Sequence, residues 1–286
     1  MRETKVLIRD QKNFSFLKEK IRSEGVKKLH ILSDFDKTLT YAEINGIKTP
    51  SLISMLRDGK HLTKNYAEKA HALYNKYHPY EVDPKISFYE KKRLMQKWWE
   101  EHMELLLESG LSKKDLEDII ENGPVRFREG VCEFLDILYE NNIPLVIISS
   151  SSIGDAIPMF FKKYDRNYSN IYYITNLFNW DENGKAISLK TPLIHSMNKD
   201  EATVKKFPEI YKVIKNRKNV ILLGDVVEDV LMIKGFDYKH LLKIGFLNSE
   251  FESLREEYTK NFDVVIEGDG DFYYVNNLMK EIINKE

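Results

Sequence analysis

The stretch LHILSDFDKTLT (residues 29–40) decides the fold, because a mainly apolar run, interrupted by His30, is followed by Ser33 and two closely spaced carboxylates. The apolar residues predict a buried strand, and Asp34 and Asp36 follow directly at its carboxyl end. In an open parallel α/β sheet, ligands bind at the carboxyl ends of the strands. Two carboxylates that share a site repel each other unless a cation or a proton neutralises one of them, and Mg²⁺ prefers such oxygen ligands. A capped turn is the alternative interpretation.

Short apolar runs that are rich in Leu or β-branched residues recur beyond this stretch and alternate with helical patterns. This alternation is typical of an α/β fold with three layers, in which a Rossmann-like parallel sheet lies between helices. The turn sequence Asp-Glu-Asn-Gly at residues 181–184 predicts a separate hairpin. The strands are predicted over residues 29–32, 144–148, 170–175, 220–223, 241–244 and 264–266.

A long insert separates the first two predicted strands. It is rich in Lys, Glu, Leu and aromatic residues at helical spacing, with helices predicted over residues 65–77, 87–107 and 112–121. We therefore expect a core domain formed by residues 1–40 and 123–286, and a mainly helical cap domain formed by residues 41–122.

Charge and composition argue against several classes of function. The 44 Lys and Arg residues nearly cancel the 45 Asp and Glu residues, so no global field attracts a nucleic acid polymer or an anionic membrane. The only cysteine, Cys132, cannot form an intrachain disulfide. Residues 1–14 lack the apolar core of a signal peptide, and the apolar runs are far shorter than the ~20 residues that a bilayer requires. The cytoplasm is therefore the expected location.

Three further polar elements follow in chain order. The second predicted strand ends in four serines at residues 149–152, Lys199 lies in a loop, and the fourth predicted strand ends in Gly-Asp-Val-Val-Glu-Asp at residues 224–229. Each element alone is weak, because serine runs are usually loops and a lone lysine is usually solvated. Together with Asp34 and Asp36, in this order, they resemble the signature motifs of the haloacid-dehalogenase superfamily.

This resemblance implies phosphoryl transfer through a covalent intermediate. Asp34 would attack phosphorus to form an aspartyl-phosphate, and Asp36 would protonate the leaving oxygen and then activate water. Lys199 would neutralise the nucleophile and a phosphoryl oxygen. A serine would contact the phosphate: alignment of the strand selects Ser149, which we prefer, and alignment back from residues 153–155 selects Ser150.

The resemblance also implies Mg²⁺ as the cofactor. Its ligands would be Asp34, Asp225 and the backbone carbonyl of Asp36. Asp229 would act through a water, or as an acid that contacts the ligands and not the metal itself. Val226 and Glu228 depart from the usual motif, which has a small hydroxyl residue and a glycine at these places. The acidic stretch at residues 267–271 lacks the ligand spacing of a calcium loop and is predicted to be a surface turn.

Residues 28–235 resemble more narrowly the cytosolic pyrimidine 5′-nucleotidase family. The most specific part is the phrase KYHPYEVDP at residues 76–84, because a cap sequence has no catalytic reason to recur. The resemblance implies that Glu81 accepts hydrogen bonds from the nucleobase and that Trp98 stacks on it. The prolines on either side of Glu81 predict a loop there. Other aromatic candidates for the base are Trp99, Tyr66 and Tyr77.

These observations predict a Mg²⁺-dependent phosphatase that hydrolyses a nucleoside 5′-monophosphate, with a pyrimidine as the expected base. Its expected partner is this small molecule, not a nucleic acid polymer or a membrane, and the expected state is a monomer or a weak homodimer. Two alternatives stay open. One is a phosphatase for another small phosphomonoester, such as a sugar phosphate or phosphoserine, and the other is a nucleotide-binding module without turnover.

Overall fold

The computed structural model describes residues 4–59, 61–83 and 85–284. Its strands form one large sheet and two small hairpins. All six predicted strands are present and begin close to their predicted starts. The strands are β1 (Lys5–Ile8), β2 (Leu29–Ser33), β3 (Glu43–Ile44), β4 (Ile47–Lys48), β5 (Leu145–Ile153), β6 (Ile171–Asn176), β7 (Phe178–Trp180), β8 (Ala186–Leu189), β9 (Asn219–Gly224), β10 (His240–Leu247) and β11 (Val264–Glu267).

The large sheet has the order β1-β11-β10-β9-β2-β5-β6 and is parallel except for β1, which pairs antiparallel with β11. The predicted parallel α/β core is thereby confirmed. The sequence analysis missed the edge strand β1, which is only four residues long and begins at an exposed lysine. The chain runs from β2 to β5 on one side and later returns to β9 on the other. The carboxyl end of β2 therefore lies where the connections change direction, which is where open α/β sheets bind ligands.

Helices cover both faces of the large sheet. Because side chains alternate along a strand, Ile31 of β2 joins the core on one face and Leu32 joins the core on the other. The helices within the described residues are α1 (Gln11–Glu24), α2 (Leu52–Asp58), α3 (Tyr66–Val82), α4 (Phe88–Glu108), α5 (Lys113–Asn122), α6 (Val131–Glu140), α7 (Ala156–Lys163), α8 (Glu201–Val204), α9 (Pro208–Ile214), α10 (Phe251–Asn261) and α11 (Tyr273–Ile283). Short 3-10 helices span Val26–Lys28, Ser196–Asn198 and Val227–Ile233.

The insert between β2 and β5 contains the helices α2 to α5 and the small hairpin of β3 and β4. The prediction of a loop around Glu81 is wrong, because α3 continues through Pro79 to Val82. Tyr77, just before that proline, is buried and stacks on Trp98 of α4, and such tertiary packing overrides the local preference of proline.

The two chain segments that lead into and out of the insert pair with each other. Thr40 forms an isolated antiparallel bridge with Phe127, and the amide of Tyr41 donates to the carbonyl of Arg126 at 3.1 Å. The division into a core domain and a cap domain stays a prediction at this point. Within the described residues, no helix has both the length and the apolar character that crossing a membrane requires.

Candidate active site

Asp34 lies at the carboxyl end of β2, in the middle of the large sheet. Its amide donates to the carbonyl of Leu223 on β9 at 3.1 Å, so strand pairing continues up to this residue. The next side chain, Phe35, is buried and packs edge-on against Phe160 of α7. Asp34 itself is only 6% exposed. The carboxylate is therefore held by the sheet and by a packed aromatic ring beside it.

Lys199 reaches the same carboxylate from the loop that follows β8. Its Nζ lies 2.5 Å from Oδ1 of Asp34 and 3.2 Å from Oδ1 of Asp229. The loop contains the 3-10 helix Ser196–Asn198, and the ring of His195 caps the start of this helix by accepting a backbone amide. One buried cation thus bridges two buried carboxylates.

Three carboxylates converge beside this lysine. One oxygen each of Asp34, Asp225 and Asp229 lies within 4.8 Å of the other two. Oδ2 of Asp229 accepts the amides of Asp225 at 3.1 Å and Val226 at 3.2 Å, so it holds the turn that follows β9. A Cβ at Gly224 would lie 2.5 Å from the Cβ of Asp229, which explains why a glycine ends this strand.

The negative charge of the cluster exceeds the charge that Lys199 can neutralise. Burial raises the pKa of Asp225 to about 7, and the charge of Asp229 adds to the shift. Burial also raises the pKa of Asp34 against the opposing effect of Lys199. Burial acts to lower the pKa of Lys199, but the charges of Asp229 and Asp34 outweigh it and the pKa is raised. An all-oxygen donor set with this excess charge fits a hard divalent cation such as Mg²⁺.

Asp36 contacts a different group, the serines at the end of β5. The hydroxyl of Ser151 donates to Oδ2 of Asp36, and Oγ of Ser149 lies 3.3 Å from Oγ of Ser151. Burial raises the pKa of Asp36, although the hydrogen bond from Ser151 opposes the shift. The side chain of Asp36 therefore lies outside the cluster of three carboxylates and in an environment that favours its protonated form.

The sequence analysis missed Ser151, since it weighed only Ser149 against Ser150. The signal that could have found it is the two-residue period of a strand, which puts alternate serines on one face. Ser150 instead uses its backbone carbonyl, which accepts Nε1 of Trp99 at 3.0 Å and Nδ2 of Asn176 at 2.8 Å. The choice between Ser149 and Ser150 as the phosphate ligand stays a prediction.

Two adjacent tryptophans of α4 have different surroundings. Trp98 is buried between Tyr74 and Tyr77, with its ring stacked on Tyr77 at a centroid distance of 6.0 Å. Its Nε1 has no hydrogen-bond partner within the described ranges. Trp99 donates to Ser150 and so spans the gap between the insert and β5. The structure therefore places Trp99, rather than Trp98, in direct contact with the serine strand.

Glu81 reaches the loop that carries Lys199, although it lies on a helix. Its Oε1 accepts the hydroxyl of Ser196 at 2.8 Å, and its Oε2 lies 3.3 Å from Nδ1 of His78. Nζ of Lys91 donates to the Glu81 carbonyl at 2.8 Å and holds this last turn of α3 against α4. A carboxylate of the insert thus contacts Ser196, which lies three residues before Lys199 in the chain.

The two departures from the metal motif are exposed residues. Val226 is 43% exposed and Glu228 is also exposed. Asp225 and Asp229 of the same turn nevertheless converge with Asp34. The departures therefore leave the cluster of carboxylates intact.

The chain is similar to a family of known proteins over most of its length. The family model described as "Pyrimidine 5'-nucleotidase (UMPH-1)" matches residues 37–283. A relative from Mus musculus, named "7-methylguanosine phosphate-specific 5'-nucleotidase", is 33% identical over 264 residues, which are 92% of this chain and 87% of that protein. A Xenopus laevis relative, "7-methylguanosine phosphate-specific 5'-nucleotidase A", is 31% identical over 98% of this chain and 96% of its own length.

The fold is also found in solved structures. The crystal structure of cytosolic 5'-nucleotidase IIIB bound to cytidine has a TM-score of 0.86 and 24% identity, over 97% of this chain and 93% of that chain. A haloacid-dehalogenase family hydrolase from Salmonella enterica has a TM-score of 0.52 and 15% identity, over 91% of this chain and 72% of that chain. The chain therefore belongs to the pyrimidine 5'-nucleotidase (UMPH-1) family, whose members are phosphoric monoester hydrolases with the haloacid-dehalogenase fold.

Proposed function

We propose that this protein is a Mg²⁺-dependent 5′-nucleotidase that hydrolyses a nucleoside 5′-monophosphate through an aspartyl-phosphate on Asp34. The observation that carries the proposal is the contact of one buried lysine with Asp34 and Asp229, beside the carboxylate of Asp225. Phosphoryl transfer needs a positioned nucleophile and compensation of the charge on phosphate, and these groups supply both.

The orientation of Asp34 supports its role as the nucleophile. Its Oδ1 is occupied by Lys199, which leaves Oδ2 to attack phosphorus. The P–O bond to the 5′ oxygen breaks as the Asp34–phosphorus bond forms, and the leaving oxygen takes the proton of Asp36. Burial keeps that proton available, because it raises the pKa of Asp36. In the second step Asp36 takes a proton from water, which attacks phosphorus and releases Asp34 and phosphate.

Other groups of the site compensate charge and orient the phosphate. Mg²⁺, which Asp34, the carbonyl of Asp36, Asp225 and Asp229 would hold, supplies a Lewis acid for the phosphoryl oxygens. Lys199 contributes a fixed positive charge next to the nucleophile. Ser149 is our proposed hydroxyl donor to the phosphate, with Ser150 as the alternative.

Selection of the base is assigned to the insert, which acts as a cap domain of residues 41–122 on a core of residues 1–40 and 123–286. Glu81 would exchange its hydrogen bond with Ser196 for one with an amine or ring N–H of the base. Among the aromatic residues, the contact of Trp99 with Ser150 makes it a better candidate for stacking than the enclosed Trp98. A pyrimidine such as cytosine, whose exocyclic amine can donate to Glu81, is our first candidate for the base.

A second candidate is 7-methylguanosine 5′-monophosphate. Several relatives carry this specificity in their names. A methyl group on N7 gives the guanine ring a positive charge, which favours aromatic faces and a nearby carboxylate. The cluster of Trp98, Tyr77 and Trp99 together with Glu81 has both features.

A screen of phosphomonoesters, with and without Mg²⁺, tests the proposal. We expect Mg²⁺-dependent hydrolysis of CMP, UMP or 7-methyl-GMP with a higher kcat/KM than for unmethylated GMP, phosphoserine or sugar phosphates. Equal rates on all esters would favour a general phosphatase, and nucleotide binding without turnover would favour an inactive module. A cytoplasmic location and a monomeric or weakly dimeric state complete the proposal, and size-exclusion chromatography tests the latter.

A further inference from the structure

The side chain of Arg128 is buried at the base of the insert, on the segment that returns from it to the core. It is 1% exposed, and its guanidinium lies over the ring of Phe246 at 4.7 Å from the centroid. An arginine has five N–H donors, and all of them are used here. The acceptors are the carbonyls of Thr38 (2.9 Å), Gly270 (2.7 Å) and Lys37, and side-chain oxygens of Asp269 (2.8 Å) and Asn248 (2.7 Å).

Two of these acceptors belong to the turn that follows the proposed nucleophile. The carbonyls of Lys37 and Thr38 lie directly after Asp36 in the chain. Lys37 has a φ of 59°, a left-handed backbone conformation that a residue with a Cβ rarely adopts. Its carbonyl also accepts Nδ2 of Asn248 at 3.0 Å. Side chains from distant parts of the chain thus stabilise the unusual backbone conformation at Lys37, because Arg128 and Asn248 both donate to its carbonyl.

Asp269 connects Arg128 to the other segment of the insert's base. Its Oδ1 accepts the amide of Ala42 and its Oδ2 accepts the amide of Glu43, both at 2.9 Å. The prediction that residues 267–271 form a surface turn is therefore wrong, because Glu267 is the last residue of β11 and is 4% exposed, and Asp269 is 8% exposed. The residues around Asp269 in the sequence did not predict its burial, because its partner Arg128 lies far away in the chain.

The network therefore joins three parts of the molecule that the mechanism needs in register. They are the turn that carries Asp36, the two segments at the base of the insert, and the loop after β11. Every donor of a buried guanidinium needs an acceptor, and here two of those acceptors are the carbonyls of Lys37 and Thr38, in the turn that carries Asp36.

We propose that Arg128, held by Asp269, is a positioning residue that fixes the turn of Asp36 relative to the base of the insert. Asp36, the proposed proton donor, and the base-binding residues of the insert then contact the same substrate in a constant geometry. The effect on turnover rests on the proposed function, whereas the effect on the backbone of residues 37–43 does not.

The test compares Arg128→Lys with Arg255→Lys in the full chain. Arg255 forms a two-point pair with Glu267 at 2.5 and 3.1 Å, close to Asp269, but its side chain is 41% exposed. A lysine at position 128 keeps the charge for Asp269 but cannot reach both turn carbonyls, because its three donors share one nitrogen. We expect kcat on the best phosphomonoester to fall roughly 10- to 100-fold for Arg128→Lys with KM nearly unchanged, and to stay within about twofold for Arg255→Lys.

Amide hydrogen exchange gives a readout that is independent of turnover. For Arg128→Lys we expect faster exchange concentrated in residues 37–43, together with a lower Tm, because buried carbonyls lose their donors. Asp269→Asn provides a second variant if Arg128→Lys fails to fold, and the same local pattern is expected for it. If the protein hydrolyses no phosphomonoester, the proposed function fails and the exchange result alone decides the positioning role. A kcat and local exchange equal to those of Arg255→Lys, or losses spread over the whole chain, would overturn the proposal.

Discussion

In the candidate site, Asp34, Lys199, Asp225 and Asp229 form what we call the floor, and Trp99 and Glu81 of the insert form what we call the wall. The side chains of the floor and of the wall are held in opposite ways. On the floor, Lys199 contacts two carboxylates, and Asp229 also binds two amides. On the wall, Trp99 donates to the carbonyl of Ser150 and Glu81 accepts the hydroxyl of Ser196. Asp34 is 6% exposed and Lys199 is 7% exposed, so these two side chains have little surface open to a substrate. Under the proposed function, the sheet would hold the catalytic groups in place, whereas the contacts of the wall, which can exchange with a ligand, would select the substrate.

The largest effect is expected on the floor, from Asp34→Asn. The variant keeps the shape of the side chain and removes the nucleophile, so we expect kcat to fall by at least about 10⁴-fold while the fold persists. Steady-state kinetics with Mg²⁺ and the loss of a trapped phosphoenzyme measure this. Asp237→Asn is the matched control, because the Asp237 side chain is 87% exposed. Turnover in a verified Asp34→Asn sample would contradict the covalent mechanism.

The two tryptophans separate the packing of the wall from its contact with the floor. Trp98→Phe leaves space in a buried aromatic cluster, so we expect a loss of about 2–3 kcal/mol in the free energy of unfolding, measured by denaturant titration. Trp99→Phe removes one N–H donor to Ser150, so we expect about 1 kcal/mol or less in stability but a clear change in KM for the nucleotide. If both variants changed stability alone, neither ring would contact the substrate.

A smaller effect is expected from Glu81→Gln, which keeps the size of the side chain but not its charge. We expect kcat/KM for the preferred nucleotide to fall about 10-fold, because one charged hydrogen bond to the base is lost. Hydrolysis of p-nitrophenyl phosphate, which has no base, should be unchanged. Glu90→Gln is the control, since Glu90 forms an ion pair with Arg93 on an exposed face of α4. An equal loss on both substrates would move Glu81 from base selection to the chemistry.

The smallest effect is the loss of stability at acid pH. It allows a buried histidine of the insert to be compared with a buried histidine of the core. Burial lowers the pKa of His102 in the insert and of His30 in β2 to about 4 each. Between pH 6.5 and 4 the unfolded chain binds protons that the folded chain does not, so each histidine contributes stability above pH 6.5 that is lost as the pH falls. We expect about 1 kcal/mol per histidine between pH 7 and pH 5.5, measured as the fall in Tm.

A variant separates the two contributions. His102→Gln should flatten the pH dependence of Tm, whereas a substitution at His71, whose side chain is 50% exposed, should not. An unchanged slope for His102→Gln would show that this ring does not control the acid response of the insert.

Much of the floor could be predicted from local sequence. Apolar runs that stop at Asp34, the serine run and Asp225 place these residues at the ends of parallel strands, and parallel strands bring their carboxyl ends to one edge. The order of the motifs then selected Lys199 from many lysines. The wall was predicted less well. Pro79 suggested a loop, but α3 continues past it and includes Glu81, because Tyr77 packs on Trp98.

The sequence by itself determined the parallel α/β core, the acidic strand ends and the family, because each of these is written in a local pattern of residues. Only the tertiary structure decided which side chains meet: Ser151 with Asp36, Trp99 with Ser150, and Arg128 with Asp269. Arg128 and Asp269 are 141 positions apart in the chain. A pattern read over a few residues cannot contain such a contact, because it is set by how separate elements pack around the sheet.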